Sequence, residues 1–271
     1  MDIYQETKLF YQSVQTEKRV IGKSLFKRDI YAVKIGEGAP VGIAQYAIHG
    51  REYITAELAF IQYRKGVYKG SIWFIPLVNP DGALLSQIGL SSVNNARDKQ
   101  RLISLNSGGD FSLWKANGRG VDLNVNFPAR YGTGAKNVRK AGAENYIGAF
   151  PCSEPESLAL KNFTESIRPD YTVSYHTKGE EIYWYFYQSP HTCPRDRALG
   201  EVLARATGYP LASAGNSAGG YKDWCIQRFS IPSFTVEVGK EEFSHPLQDE
   251  EALKDIIKKN QSALYDLSKE I

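Results

Sequence analysis

His49, Glu52, Asp122, His176 and Glu237 are the residues of this 271-residue chain whose types and placement could do chemistry together. Glu52 follows His49 by three positions, where helix-like spacing takes over from an apolar run. At that spacing both side chains project from one side of a single turn and can reach one ion. A second imidazole, His176, follows another apolar run, Tyr171-Thr-Val-Ser-Tyr175. Two imidazoles and a carboxylate suit Zn²⁺, and three protein ligands leave its fourth position for water. On spacing alone, His-x-x-Glu more often means a surface His–Glu pair. Glu237 stands inside the apolar run Phe234-Thr-Val-Glu-Val-Gly239, where a carboxylate is out of place. It is either salt-bridged at a sheet edge or a desolvated carboxylate with a shifted pKa, fit to act as a general base. Asp122 interrupts a similar run, Arg119-Gly-Val-Asp-Leu-Asn-Val-Asn-Phe127, and could orient an imidazole from behind.

The elements that must position these groups follow from the apolar pattern. Residues 41–48 are almost wholly apolar and of strand length, as expected of a strand buried on both faces. The run ends at His49-Gly50, and helix-like spacing continues through Ala56, Leu58, Ala59 and Ile61. Residues 71–78 form a second buried run, stopped by Asn79-Pro80-Asp81-Gly82, a strong turn signal. A short helix is expected in the first dozen residues, and short β-rich runs between 19 and 35. The stretch 86–148 is glycine-rich and polar, too long for an ordinary loop and of the kind that carries function. Helices are expected at 155–167 and 195–207, strands at 170–175 and 232–238, and one long amphipathic helix at 249–269. Alternation of this kind predicts an α/β fold with a mostly parallel sheet flanked by helices. His49 and His176 then lie just past strand ends, where open α/β sheets form their sites. With no repeat, low-complexity tract or linker, residues 1–271 read as one domain.

Composition excludes several classes. Hydrophobic residues make up 42% and charged residues 23%, so the chain is globular and not disordered. The net charge of +3 is small and dispersed, which supports neither a nucleic-acid nor a membrane-surface partner. No signal peptide and no 18-residue apolar window is visible. Cys152, Cys193 and Cys225 are odd in number and lack paired spacing. They are expected to be reduced thiols, and the expected location is the cytoplasm. His191 and His245 lie in proline-flanked turns and are read as non-ligands.

The chain resembles the zinc metallopeptidases of the carboxypeptidase A family. The blocks that carry the resemblance are His49-Gly-Arg-Glu52, Asn79-Pro-Asp-Gly82, Gly120-Val-Asp-Leu-Asn124, Ser174-Tyr-His176 and Thr235-Val-Glu-Val-Gly239, in family order. The resemblance spans roughly residues 20–268, nearly the whole chain. The resemblance implies a mixed, mostly parallel eight-stranded twisted sheet sandwiched between helices. It also implies one Zn²⁺ held by His49, Glu52 and His176, with Glu237 as general base and Asp122 supporting a ligating imidazole. A His₂Glu set is the one such enzymes use. A family arginine that stabilises the oxyanion falls at Lys115, nine residues before Asn124, and Arg119 is a second candidate. Lysine offers a point charge where arginine offers a fork.

Departures from that family narrow the expected substrate. The Asn-Arg pair that holds a terminal carboxylate in true carboxypeptidases reads Asn124-Val125 here. The usual mobile-loop tyrosine falls at Gly215, in a glycine-rich loop 213–220, and Tyr221 is a candidate replacement. The position that lines the specificity pocket is Lys222, which suits a substrate carrying an anion. Tyr175-His-Thr-Lys-Gly-Glu-Glu-Ile-Tyr-Trp184 and Trp114-Lys-Ala-Asn117 resemble bacterial γ-D-glutamyl-L-diamino acid endopeptidases. Such enzymes cut between γ-D-glutamate and meso-diaminopimelate, or lysine, in peptidoglycan stem peptides. On that resemblance Lys222 would meet the far carboxylate of diaminopimelate, and Glu181 or Glu180 its far ammonium. The expected partner is a muropeptide or other small peptide. The alternatives are a zinc carboxypeptidase on ordinary peptides and a non-catalytic module that kept the fold.

Overall fold

The apolar runs around residues 43 and 73 become neighbouring parallel strands near the middle of one eight-stranded sheet. These elements are seen in a computed structural model that describes residues 1–213, 215–246 and 249–271. In chain order, helix α1 (Ile3–Ser13) precedes strands β1 (Lys18–Lys23), β2 (Asp29–Gly36) and β3 (Val41–Tyr46). Helix α2 (Ile54–Lys65), strand β4 (Ser71–Ile75) and helices α3 (Pro80–Ile88), α4 (Ala96–Asn106) and α5 (Pro155–Ile167) follow. Next come β5 (Tyr171–His176), β6 (Glu181–Tyr185), α6 (Cys193–Thr207) and β7 (Leu211–Ser213). The chain ends with α7 (Tyr221–Phe229), β8 (Ser233–Glu237), α8 (Glu250–Asn260) and α9 (Ala263–Glu270).

The strand order is β1-β2-β4-β3-β5-β8-β6-β7. The pairs β3–β4, β3–β5, β5–β8 and β6–β7 are parallel, and β1–β2, β2–β4 and β6–β8 antiparallel. Successive strand residues face opposite sides, which splits the core in two. Ala44, Phe74, Val173 and Val236 pack with α1, α2, α6, α8 and α9 on one side. Ile43, Trp73 and Ile75 pack with α5 and α7 on the other. No helix is long and apolar enough to cross a membrane among the described residues.

Several elements differ from the sequence expectation. Asn79-Pro80-Asp81-Gly82 does not form a turn between elements; it starts α3. The Asn79 side chain caps the helix by accepting the Gly82 N–H at 2.9 Å, and Pro80 occupies the first turn, where it lacks no needed N–H. The polar stretch 86–148 contains α4 and a 3₁₀ turn at Leu123–Val125. The helix expected at 249–269 is two helices. They break where the buried Asn260 carbonyl accepts from Gln62 Nε2 and its amide donates to Tyr209 and Ile256. Strands β6 and β7 and helix α7 were not expected at all.

A buried polar network ties the long 107–154 connection to the sheet. Asp81 accepts from Ser24 Oγ, the Phe26 N–H and Arg28 Nη1. Glu156, on α5, accepts from the Leu25 N–H at 2.9 Å and from Asn117 Nδ2 at 3.1 Å. Asn117 Oδ1 in turn accepts the N–H groups of Arg119 and Val121, which sets the path into Asp122. Burial pushes the Glu156 carboxyl up to about 7, and the neighbouring Asp81 charge adds to it. In an unfolded chain the group returns to its ordinary value of 4.5. Between those values the folded state holds a proton that the unfolded state has lost, so stability falls as pH rises from about 4.5 to about 7. Glu156→Gln is therefore expected to make this part of the stability profile shallower, seen as a urea midpoint that declines less over that window, the remainder being due to Glu237. An unchanged slope would show that Glu156 titrates normally.

Candidate metal centre and active site

Parallel strands deliver the site. His176 and Glu237 are the last residues of β5 and β8 and stand opposite each other in register. Tyr46 is paired with Tyr175, so the segment leaving β3 carries His49 to the same carboxyl edge of the sheet. His49 then opens a 3₁₀ turn, Gly50–Glu52, closed by the Glu52 N–H donating to the His49 carbonyl at 3.1 Å. This tighter turn, rather than a regular helix start, places Glu52 beside the imidazole. Gly50 is required at its centre: a Cβ there would lie 2.5 Å from the Gly82 backbone and 2.7 Å from the Trp114 carbonyl oxygen. The turn is thus wedged between the start of α3 and the 114–116 segment, whose Lys115 carbonyl accepts the Gly50 N–H.

The three side chains converge. His49 Nδ1 lies 2.9 Å from Glu52 Oε1, and His176 Nδ1 lies 3.0 Å from Glu52 Oε2. The two Nδ1 atoms are 3.1 Å apart, and all three residues are buried. Behind His49, Asp122 Oδ1 lies 3.2 Å from Nε2. An ionised carboxylate only accepts, so it keeps the proton on Nε2 and turns the Nδ1 lone pair toward Glu52 and His176. Acceptor atoms facing one another at these distances suit a cation at their centre. Two nitrogens bound about 2.0–2.1 Å from one tetrahedral ion sit roughly 3.4 Å apart, close to the separation here. The donor set and its geometry fit zinc.

Electrostatics keep the supporting groups charged. Asp122 is fully buried, which opposes ionisation, but Lys115 Nζ at 2.8 Å and His49 hold its carboxyl well below the usual range. Lys115 loses its water to burial, yet the Asp122 carboxylate raises its pKa and keeps it cationic. Burial likewise opposes the Glu52 carboxylate, and the two imidazoles override it and lower its pKa strongly. Burial lowers the His49 pKa, while Glu52 and Asp122 raise it for a net upward shift. Glu237 has no such close cation: burial pushes it up to about 7, drawn back by His176 and pushed further by Glu52.

These groups open onto a cavity of about 420 Å³. Glu237, Lys115, Asn124 and Lys222 line it with the two imidazoles. Lys222 is buried, its Nζ donating to Asp223 Oδ1 at 2.7 Å and to the Tyr185 carbonyl at 3.2 Å. Four other candidates lie elsewhere. Arg119 is half-exposed and pairs with Glu154 at 2.9 Å, because the Asn117 turn points it away from the cavity. Tyr221 is buried in the core with its hydroxyl on Thr164, so it does not supply a phenol; only its N–H approaches, donating to Asn124 Oδ1. Glu181 accepts from the Tyr183 hydroxyl, and Glu180 pairs with Lys259 at 2.5 Å, so neither side chain lines the cavity. Ala214, in the glycine-rich loop 213–220, lies outside the described residues.

Asp223, Thr235, Tyr183 and the turn 134–137 line the cavity without having been singled out. Thr235 had a usable signal, since it stands two residues before Glu237 and shares its face of β8. Asp223 could be found only once α7 was recognised: it is the third residue of that helix and accepts the Gly220 N–H.

Asp122→Ala is expected to lower zinc affinity about 10- to 100-fold, by releasing the tautomer and orientation of His49. Competition with a chelating dye measures this. Unchanged affinity with a folded protein would remove Asp122 from the account of the site.

The sequence matches the family model for zinc carboxypeptidases, Peptidase_M14, over residues 11–263. It is 33% identical over 239 residues to gamma-D-glutamyl-L-diamino acid endopeptidase 1 of Lysinibacillus sphaericus, covering 81% of this chain and 59% of that protein. The chain thus spans little more than half of that relative's length. Its fold matches bovine thrombin-activatable fibrinolysis inhibitor with a TM-score of 0.79 at 20% identity, covering all of this chain and 96% of that one. Murein-tripeptide amidase MpaA from Escherichia coli O157 matches at a TM-score of 0.64 and 23% identity, covering 96% and 95%. The eight-stranded mixed sheet and the converging His49, Glu52 and His176 agree with these findings: the chain belongs to the M14 zinc carboxypeptidase family.

Proposed function

We propose that this chain hydrolyses the bond between γ-D-glutamate and a diamino acid in peptidoglycan stem peptides. The observation that carries the proposal is the buried Lys222–Asp223 pair in the wall of the cavity that also holds His49, His176 and Glu237. The ammonium has three donors, and two are engaged by Asp223 and Tyr185. Asp223 keeps acceptor capacity beyond its bonds to Lys222 and Gly220. Adjacent plus and minus charges suit a side chain that ends in a zwitterion, as diaminopimelate does and lysine does not. Asp223 takes the part that the sequence had offered to Glu181. The name of the Lysinibacillus sphaericus relative supports the same bond type.

In this reading His49, Glu52 and His176 would hold zinc, which would supply Lewis acidity toward the acyl oxygen and make water a usable nucleophile at neutral pH. Glu237 takes the proton of the attacking water and returns it to the departing amine nitrogen. Burial raises its pKa toward neutrality, which suits a group that must both take and return a proton. Asp122 holds the tautomer of His49, and the Lys115 ammonium, already facing the cavity, stabilises the oxyanion.

Zinc-loaded protein is expected to release L-Ala-D-Glu and free diaminopimelate from L-Ala-γ-D-Glu-meso-diaminopimelate, detected by mass spectrometry. Glu237→Gln should reduce kcat about 10²- to 10⁴-fold with its zinc content intact. Cleavage of a plain C-terminal peptide bond instead of the γ-bond would make the chain an ordinary carboxypeptidase.

Changing Lys222 alone would strand Asp223 as a buried unpaired charge, so the specificity test removes both. K222M/D223N should reduce the preference for diaminopimelate over lysine at the leaving position about tenfold or more in kcat/KM. An unchanged ratio would show that the pair is only structural.

A further inference from the structure

We infer that the turn 134–137 is a carboxylate-recognition site, with Lys136 and Asn137 reading the free α-carboxylate of the residue that leaves. This deepens the reading above and rests on it. Among the described residues, three lysines line the cavity and no arginine does. Lys115 is paired with Asp122 and Lys222 with Asp223. Lys136 is the one cation of the three without a carboxylate partner among the described residues. Lys136 is solvent-exposed, so its charge is hydrated and free to meet a ligand at the cavity.

Asn137 adds a second, independent observation. Its amide packs over Gly134, where a Cβ would lie 2.9–3.1 Å from the amide atoms. Its Nδ2 is buried in the wall and has no hydrogen-bond partner among the described residues. A buried donor left unmade is costly, and a carboxylate oxygen brought into the cavity is the acceptor it lacks after a small side-chain rotation.

The turn is also placed beside the vacated family position. The Ala135 N–H donates to the Asn216 carbonyl at 3.0 Å, which ties the turn to the loop leading into α7. That same loop meets Val125: an added Cβ on Gly219 would lie 2.8 Å from the Val125 carbonyl oxygen, and the Phe127 N–H donates to Gly219. At its other end the turn is held by the Asn137 N–H on Gly134 and the Val138 N–H on Asn145. A turn from the long 107–154 connection thus offers a charge and a spare amide donor where Val125 offers neither. The consequence is a preference for stems that end at the diamino acid over stems that continue beyond it.

The test compares L-Ala-γ-D-Glu-L-Lys with its C-terminal carboxamide, and with the analogue amidated instead on the D-Glu α-carboxylate. KM and kcat are measured for zinc-loaded wild type, Lys136→Met and Asn137→Ala, and binding by calorimetry on the same proteins carrying Glu237→Gln. Wild type should bind the C-terminal acid about tenfold or more tighter than the carboxamide. Lys136→Met should abolish that difference through KM, and Asn137→Ala should reduce it. Equal binding of acid and carboxamide by wild type, or equal weakening of both by Lys136→Met, would overturn the assignment. So would a Lys136-dependent difference found only with the D-Glu amide, which would place the turn on the other carboxylate. If wild type cleaves none of the peptides yet binds the acid selectively through Lys136, the carboxylate site stands and the γ-bond reading fails.

Discussion

Asp122 is a fully buried carboxylate, and a charge in that position persists only if every lone pair is answered. Here it is answered from four directions: the imidazole of His49, the ammonium of Lys115, and the N–H groups of Asn124 and Asn145. Those donors come from the end of β3, the 114–117 segment, the 3₁₀ turn and the far side of the long connection. One unsatisfied charge therefore forces four stretches of chain to meet at the carboxyl edge of the sheet. The site geometry follows, because the proton that Asp122 keeps on His49 Nε2 decides which nitrogen faces Glu52 and His176.

Backbone proximity makes that arrangement stiff. The Gly50–Glu52 turn has no room for a side chain at Gly50, the capped start of α3 presses on it, and the Asn79 amide donates to the carbonyls of Ile48 and Ala116. The ligating turn, α3 and the lysine-bearing segment thus move together or not at all. Around this fixed centre the cavity wall is assembled from segments far apart in the chain: β6, α7, the end of β8 and the 134–137 turn. Charges in the wall are sorted by pairing. Lys115 and Lys222 are each held by an aspartate, and Glu237, without a close cation, is raised toward neutrality.

Much of the fold was legible because buried parallel strands are written as short apolar runs, and β3, β4, β5 and β8 fell where such runs lie. Less legible were β6, whose Glu181-Ile-Tyr-Trp-Tyr185 stretch mixes charge with aromatics, and α7, which begins directly after Gly219-Gly220. Both belong to the sheet edge or the cavity wall, where one side faces a polar space and the periodic signal weakens. Asn79-Pro80-Asp81-Gly82 was misjudged for a related reason. The residues that open a turn also cap a helix, and only the packing of α3 on the Gly50 turn separates the two outcomes.

His49, His176 and Glu237 could be singled out from sequence because each lies in or just past an apolar run at a strand end, Glu52 because of its spacing from His49, and Asp122 because it interrupts an apolar run in the long connection; all of these signals are local. Local information also carried the strands and most of the helices that bring them together. Whether Lys115 or Arg119 reached the cavity, whether Tyr221 faced substrate or core, and whether Lys222 was paired with Asp223 were decided only in three dimensions. Each of those side chains is long, its neighbours in sequence are polar either way, and its direction is set by a partner from a distant segment: Asp122, Glu154, Thr164 and the Tyr185 carbonyl. A long side chain goes where its charge or hydroxyl is satisfied, and that address exists only in the folded chain.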